Sequence, residues 1–232
     1  MPVLEILTSS GLGSLLGMRH AIEPDHLAAV STLVTGERNS YKAAFLGMCW
    51  GLGHTSALLV VGTLLVVLRA EMPARVADGF EFCVALMLIG LGLRAIYLAV
   101  RQGPAGPSHV HHHGHTVHVH AGAPAHIHIG TWTLARRPLI VGAVHGLAGS
   151  GALTALVVAT LPSTAARITY MMVFGLGSTL GMAALSGLLG WPLARAGSHR
   201  GLARGLSLAV GCVSTVLGVV WGYPLAGKVL GF

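Results

Sequence analysis

The sequence predicts an all-α membrane protein with six transmembrane helices, arranged as two inverted three-helix repeats and with the first helix broken near Pro24. Three observations predict this fold class. Only 9% of the 232 residues are charged, whereas soluble domains carry about 25%. The mean hydropathy is +0.74. Six apolar segments reach the roughly 20 residues that a helix needs to cross a bilayer, so most of the surface is expected to face lipid.

The predicted spans lie at about 3–34, 42–68, 79–101, 138–162, 167–191 and 204–227. The first span contains Pro24, which has no N–H for the His20 carbonyl and whose ring clashes with that carbonyl in a helix. A kink or an unwound turn is therefore expected between these two residues. The segment 102–137 is rich in Gly, Pro and His and is expected to have no fixed fold. It separates a first repeat at 1–101 from a second at 138–232.

An internal repeat supports the inverted arrangement. The matched strings are Gly17-Met18-Arg19-His20-Ala21-Ile22 with Gly142-Ala143-Val144-His145-Gly146-Leu147, and Gly51-Leu52-Gly53-His54-Thr55 with Gly175-Leu176-Gly177-Ser178-Thr179. The match places His20 on His145 and His54 on Ser178. Because each repeat has three helices, the second copy enters the membrane upside down. Such repeats are typical of transporters that bind substrate at mid-membrane, and the halves are expected to rock about that site.

The distribution of basic residues predicts the orientation, because cytoplasmic loops carry an excess of Lys and Arg. One side of the predicted membrane collects Arg38, Lys42, Arg101, Arg136, Arg137, Arg195, Arg200 and Arg204. The other side collects Arg69, Arg75, Arg167 and Lys228. This bias predicts a bacterial inner-membrane protein with both termini outside and the segment 102–137 in the cytoplasm. Because membrane orientation accounts for these basic residues, the net positive charge does not predict a nucleic-acid partner.

Three ligand-type side chains, His20, Asp25 and His26, lie in the middle of the first span. Ionisable residues are costly at that depth and mark functional sites, and imidazole and carboxylate groups bind first-row transition metals. On a straight helix Asp25 and His26 would lie about 140° and 120° from His20 in opposite senses, so the break is needed to gather them. His54 is the predicted fourth ligand. The alternative is a set of buried polar residues that only hold neighbouring helices together.

Four further residues are assigned supporting roles. Arg19 and Glu23 are neighbours at i,i+4, so they are predicted either to pair with each other or to orient the metal ligands. His145 and Ser178 are predicted near mid-depth. His145 is a candidate for the ion pathway, and Ser178 is a candidate for packing or for holding water.

Nine histidines form a separate tract in the segment 102–137: His109, His111, His112, His113, His115, His118, His120, His126 and His128. Neutral imidazoles in such a tract bind nickel, cobalt, copper or zinc interchangeably. The tract is therefore predicted to be an accessory metal-binding loop. The alternative is a polar linker.

The string His20-x4-Asp25-His26, preceded by Gly-Met-Arg and followed by Leu-Ala-Ala-Val, resembles the signature of the nickel/cobalt transporter family. The string 51–55 resembles that family's second-helix motif, and 174–179 resembles a later helix motif. The resemblance implies a short six-helix permease whose transported substrate is Ni²⁺ or Co²⁺, with no cofactor. Glu23-Pro24 stands where the family shows acidic and small residues. This string and the His-rich loop are also reminiscent of related nickel/cobalt efflux proteins.

Uptake through the proposed site is the leading functional hypothesis, and efflux through the same site is the main alternative. A membrane subunit of an ATP-driven uptake complex is a third, but the chain has no nucleotide-binding motif and would need a partner ATPase. An enzyme is not predicted, because a membrane zinc protease would need a His-Glu-x-x-His string. The expected partners are the metal ion, the lipid bilayer and a cytoplasmic metallochaperone. The sequence does not fix the oligomeric state.

Overall fold

The computed structural model describes residues 3–35, 37, 39–101, 108–113, 116–121, 126–129, 132–161, 163–196 and 200–231. Seven α-helices lie in these ranges: α1 (Val3–His20), α2 (Pro24–Val34), α3 (Ser40–Leu68), α4 (Ala74–Arg101), α5 (Arg136–Thr160), α6 (Thr164–Ala196) and α7 (Arg200–Leu230). Four short strands lie between α4 and α5: β1 (Ser108–His113), β2 (Thr116–Ala121), β3 (His126–Ile129) and β4 (Trp132–Ala135).

Five stretches of helix in the described part of the chain are long and apolar enough to cross a membrane. They are Ser40–Leu68, Ala74–Arg101, Arg136–Val157, Thr164–Pro192 and Gly201–Leu230. These stretches match the second to sixth predicted spans. The first predicted span is instead divided into α1 and α2, of 18 and 11 residues, and neither is among the five.

The division of the first segment lies where Pro24 predicts a break. Helix α1 ends at His20, and Pro24 is the first residue of α2, a position where its missing N–H is not needed. The backbone N–H of Glu23 donates to the His20 carbonyl at 3.1 Å. The chain therefore makes a tight turn over residues 21–23 and enters a second helix.

The segment between α4 and α5 contains two antiparallel hairpins, β1–β2 and β3–β4. The expectation that 102–137 has no fixed fold is therefore wrong for these strands. Val or Ile alternates with His in parts of β1, β2 and β3, and β-branched residues favour an extended backbone. The repeated histidines hide this alternation when the segment is judged by composition.

Each helix of the first half packs mainly on helices of the second half. Helix α1 lies on α6, α3 lies on both α5 and α6, and α4 lies on α7, whereas helices of the same half make few contacts. The contacts run antiparallel between α3 and α6, where Gly51 meets Thr179 and Gly175 meets Thr55. Helices α4 and α7 are also antiparallel. The two halves are thus interleaved.

Glycines allow these helices to approach at backbone distance, as is common in membrane helix packing. Gly17 of α1 lies against the Phe174 backbone of α6, and Gly142 of α5 lies against the Trp50 backbone of α3. Large apolar side chains on the outer helix faces, in contrast, are exposed to the surroundings. Leu64, Leu176, Leu180, Val213 and Val220 are each more than half exposed, as expected for residues that contact lipid.

Replacing Gly142 with alanine is expected to destabilise the protein. The added Cβ would collide with the Trp50 carbonyl, and neither helix backbone can move away without repacking. Overpacking of this kind costs roughly 1–3 kcal/mol, so the midpoint of thermal unfolding in detergent should fall. Gly90→Ala is the matched control, because a Cβ there meets nothing within 4 Å. Equal unfolding midpoints for the two variants would contradict the close packing of α3 on α5.

Candidate metal centre

The turn between α1 and α2 places the ligand-type residues of the first segment on one side. His20 is the last residue of α1, and Asp25 and His26 are the second and third residues of α2. The Asp25 and His26 residues are 7% and 2% exposed. A continuous helix would spread the three side chains around its axis, whereas the break turns all of them inwards.

Helices α3 and α5 supply two more imidazoles. His54 lies fourteen residues from each end of α3, or about 21 Å along the helix axis, and it is fully buried. His145 of α5 is 2% exposed. The neighbouring Gly146 lies against the His54 backbone, so the two helices approach closely at the level of these rings. The centre therefore lies near the middle of the helix bundle.

Three imidazoles form the first ligand set, which consists of His20, His26 and His54. One ring nitrogen from each lies within 4.8 Å of the others. The ring centroids are 4.5 Å apart for His20 and His26, 5.2 Å for His20 and His54, and 5.4 Å for His26 and His54. Nitrogen donors lie about 2 Å from a bound zinc ion, so two donors that share one ion are at most about 4 Å apart, which is close to the 4.8 Å limit.

A carboxylate and two imidazoles form the second ligand set, which consists of Asp25, His26 and His145 and also meets the 4.8 Å limit. Asp25 Oδ1 lies 3.1 Å from His26 Nδ1, and Asp25 Oδ2 lies 3.3 Å from His145 Nε2. The second pair is close enough for an ion pair but lacks hydrogen-bond geometry. His26 belongs to both sets.

Several buried nitrogens of the centre have no hydrogen-bond partner among the described residues: His20 Nε2, His26 Nε2, His54 Nδ1, His54 Nε2 and His145 Nδ1. A buried polar atom without a partner costs about 1–3 kcal/mol. Such atoms call for an explanation, for example a bound ion. His20, His26 and His54 each carry at least one such nitrogen, and one ring nitrogen of each lies within 4.8 Å of the others, as an ion-binding centre requires.

The structure brings the four predicted ligands, His20, Asp25, His26 and His54, into one cluster. It adds His145 as a fifth member, although the sequence assigned this residue only to the pathway. The internal repeat could have identified His145 as a ligand, because it aligns His145 with His20. Ser178 is buried and its hydroxyl has no hydrogen-bond partner in the described part of the chain, but it belongs to neither ligand set.

Arg19 and Glu23 do not form the predicted ion pair, so the first of the two roles predicted for them is wrong. Glu23 Oε1 instead lies 3.0 Å from His20 Nδ1, and Arg19 is exposed. The i,i+4 relation exists only on a continuous helix, and the turn at residues 21–23 removes it. Glu23 therefore fits the alternative role of orienting a ligand, since a carboxylate on one ring nitrogen fixes the tautomer of the other.

Two aromatic residues that were not predicted to act line the centre. The Trp50 ring is 5.3 Å from that of His26 and 5.7 Å from that of His145. The Phe174 ring is 5.4 Å from that of His20. The sequence places these two aromatic residues at equivalent positions of the internal repeat, since each immediately precedes a Gly-Leu-Gly string. That equivalence could have indicated a shared role. Together they form apolar walls on two sides of the imidazole cluster.

The His-rich tract stands apart from this centre in the chain. His109, His111, His112 and His113 lie in β1, His118 and His120 in β2, and His126 and His128 in β3. His115 lies outside the described residues. In the register of the first hairpin, His109 is opposite His120 and His111 is opposite His118.

The chain is similar to a family of nickel-transport proteins and to three known proteins. The family model described as high-affinity nickel-transport protein, NicO, matches residues 7–220. The urease accessory protein UreH of Bacillus sp. (strain TB-90) is 31% identical over 225 residues, which cover 97% of this chain and 95% of that protein. Two Arabidopsis thaliana chloroplast proteins, FOR GROWTH AND FERTILITY 2 and 1, are each 29% identical over 188 and 195 residues. This chain spans about half the length of each, 48% and 50%. No solved structure matches.

Proposed function

We propose that this chain, which belongs to the family of high-affinity nickel-transport proteins, is a permease for the uptake of Ni²⁺, with Co²⁺ as the second candidate substrate. The observation that carries the proposal is the pair of buried ligand sets where the broken first segment meets α3 and α5. Nickel is favoured because the family's description names it.

Membership of the family establishes the general class of the protein. The chain is an integral membrane protein for metal-ion transport, and the prediction that it is not an enzyme is confirmed by a family of transporters. The resemblance to nickel/cobalt transporters that the first-segment motif indicates is confirmed as well.

The chemistry of the centre suits an ion that must lose its water shell. Four imidazoles and one carboxylate, from His20, Asp25, His26, His54 and His145, offer the nitrogen and oxygen donors that nickel and cobalt accept. Their donor atoms replace water at a depth where none is freely available, and the orphaned nitrogens gain partners when the ion binds. Trp50 and Phe174 keep bulk water away from the rings. Binding and dehydration are thereby coupled, as transport requires.

Our proposal includes two inverted repeats, at 1–101 and 138–232, joined by the loop 102–137. Helices α1 and α2 together form the first of six spans. The antiparallel packing of α3 on α6 supports this arrangement, and so do matching contacts in the two halves. Gly17 meets Phe174 in the same way that Gly142 meets Trp50, and these are the residues that the repeat alignment pairs.

The interleaved packing changes the expected motion. Rocking of one half against the other would break every major helix contact, because those contacts join the halves. Helices α4 and α7 pack tightly on each other and less extensively on α2 and α5. We therefore expect α4 and α7 to move as one body against α1, α3, α5 and α6. This motion would open the centre to alternate sides.

The basic residues between the helices support an inner-membrane location in bacteria, with both termini outside and the loop 102–137 in the cytoplasm. The nine histidines of that loop are proposed to bind metal at the cytoplasmic face. They would buffer the imported ion before a metallochaperone receives it.

Nickel content of cells tests the function and its direction together. A host without its own nickel transporters would carry either the wild-type chain or an empty vector, at submicromolar external nickel. We expect accumulation clearly above the vector control. Nickel below the vector level would overturn uptake in favour of efflux. Equal nickel content, with the protein shown to be in the membrane, would contradict nickel transport, and the same assay with Co²⁺ would then decide the substrate.

A further inference from the structure

We propose that the transported ion occupies two overlapping positions in turn and passes between them on His26. The first position is formed by His20, His26 and His54, and the second by Asp25, His26 and His145. This inference rests on the proposed transport function and adds a path for the ion within the centre.

The geometry of His26 supports a shared role. Its ring lies 4.5 Å from the His20 ring and 4.8 Å from the His145 ring. Its Nδ1 atom lies 3.1 Å from Asp25 Oδ1, whereas its Nε2 atom is buried and has no hydrogen-bond partner among the described residues. We assign Nδ1 to the carboxylate position and Nε2 to the imidazole position.

A neutral imidazole has one nitrogen with a free lone pair and one that carries a proton. His26 therefore serves one ion at a time. When the ion moves from Nε2 to Nδ1, Nδ1 gives its proton to a water molecule that accompanies the ion, and Nε2 accepts a proton from water. The ring is therefore neutral before and after the step. The two positions together hold one ion per chain.

The two positions differ in access and in charge. At the first, the His20 side chain is 16% exposed, and its partner Glu23 is 52% exposed. At the second, the side chains of His145 and Asp25 are only 1% and 11% exposed. An ion that arrives at the Glu23 side meets three imidazoles first and a buried carboxylate second. The negative charge of the Asp25 carboxylate favours the step from the first position to the second.

The proposed repeat places the two positions on opposite sides of the bundle's symmetry axis. His20 and His145 are repeat counterparts, and in an inverted repeat counterparts lie on opposite sides of the membrane midplane. The aromatic walls follow the same rule, because Phe174 lies beside His20 and its counterpart Trp50 lies beside His145. The step across His26 would therefore carry the ion past the midplane.

Binding of Co²⁺ to the full-length protein in lipid nanodiscs tests the proposal. All nine loop histidines would be replaced by asparagine so that only the buried centre binds. His20→Ala with His54→Ala removes the first position, and Asp25→Asn with His145→Ala removes the second. The visible spectrum of Co²⁺ reports its ligands and geometry, and equilibrium dialysis gives the number of ions bound.

We expect one Co²⁺ per parent chain and none for His26→Ala. Each double variant should still bind one ion, with a spectrum different from that of the other. Its affinity should fall by at least about tenfold, the lower limit for losing even an indirect metal partner. Both double variants should lose nickel accumulation in cells, because each interrupts the path. If a double variant does not elute as a single peak in size-exclusion chromatography, the single variants His54→Asn and His145→Asn replace the two double variants in the same measurements.

Three results would overturn the proposal. Two ions per parent chain at saturation would contradict the single shared histidine. A folded double variant that binds no Co²⁺ would indicate one composite site. If the Asp25→Asn, His145→Ala variant keeps the Co²⁺ spectrum and the nickel accumulation of the parent chain, the second position does not exist. A parent chain that neither binds Co²⁺ nor accumulates nickel would instead overturn the transport function itself.

Discussion

Replacement of His26 by alanine is expected to lower nickel accumulation to the level of cells that carry an empty vector. His26 is the one residue common to both ligand sets, so its loss leaves two donors at most in either position. Two donors cannot replace the water shell of a divalent ion in an apolar interior. The measurement is cellular nickel after growth at submicromolar external metal, normalised to the amount of protein in the membrane.

The matched control for this experiment is Thr32→Ala, six residues after His26 in α2. The Thr32 hydroxyl donates only to the Ala29 carbonyl of its own helix, so its removal should leave accumulation near the wild-type value. A His26→Ala variant that accumulates nickel as well as this control does would exclude the buried cluster as the ion's path.

Asp25→Asn is expected to reduce the kcat/KM of nickel transport by roughly 100-fold or more. Among the described residues, Asp25 is the one buried acidic side chain, and it contacts two imidazoles of the centre. Leaving a buried charge uncompensated costs about 3–5 kcal/mol, and each 1.4 kcal/mol is about a factor of ten. Asparagine keeps the shape and one acceptor oxygen, so the change mainly removes the charge.

Glu23→Gln is the control for charge removal nearby. Glu23 is half exposed and touches His20 rather than the ion positions, so water screens the change. A loss of about tenfold is expected, the lower end of the range for a residue that only orients a ligand. Initial rates of ⁶³Ni²⁺ uptake over a range of concentrations would give both values. Equal losses for the two variants would contradict a special role for the buried carboxylate.

Local chemistry made the broken first segment and four of the cluster's residues predictable. The clash of Pro24 with the His20 carbonyl is a property of neighbours in the chain, and so is the spacing of His20, Asp25 and His26. His54 could be added because it lies at the middle of the next apolar segment. These inferences needed no knowledge of how distant helices pack.

The remaining features depend on packing between distant segments. His145 enters the cluster because Gly146 lets α5 lie against the backbone of α3, and hydropathy does not reveal which helices will touch. The contact of Glu23 with His20 depends on the path of the turn, whereas the predicted contact with Arg19 assumed a continuous helix. Interleaving of the halves was also hidden, since a repeat in the sequence suggests two separate bodies.

The interleaving of the two halves also determines when the protein can fold during its synthesis. Helix α1 needs α6, and α4 needs α7, so the first 101 residues enter the membrane before their partners have been translated. At about 5–20 residues per second, α1 waits on the order of 10 s for α6. During that time its glycine face has no neighbour. A ribosome that stalls before α6 is therefore expected to release a chain that membrane quality-control proteases degrade, rather than a stable half-protein.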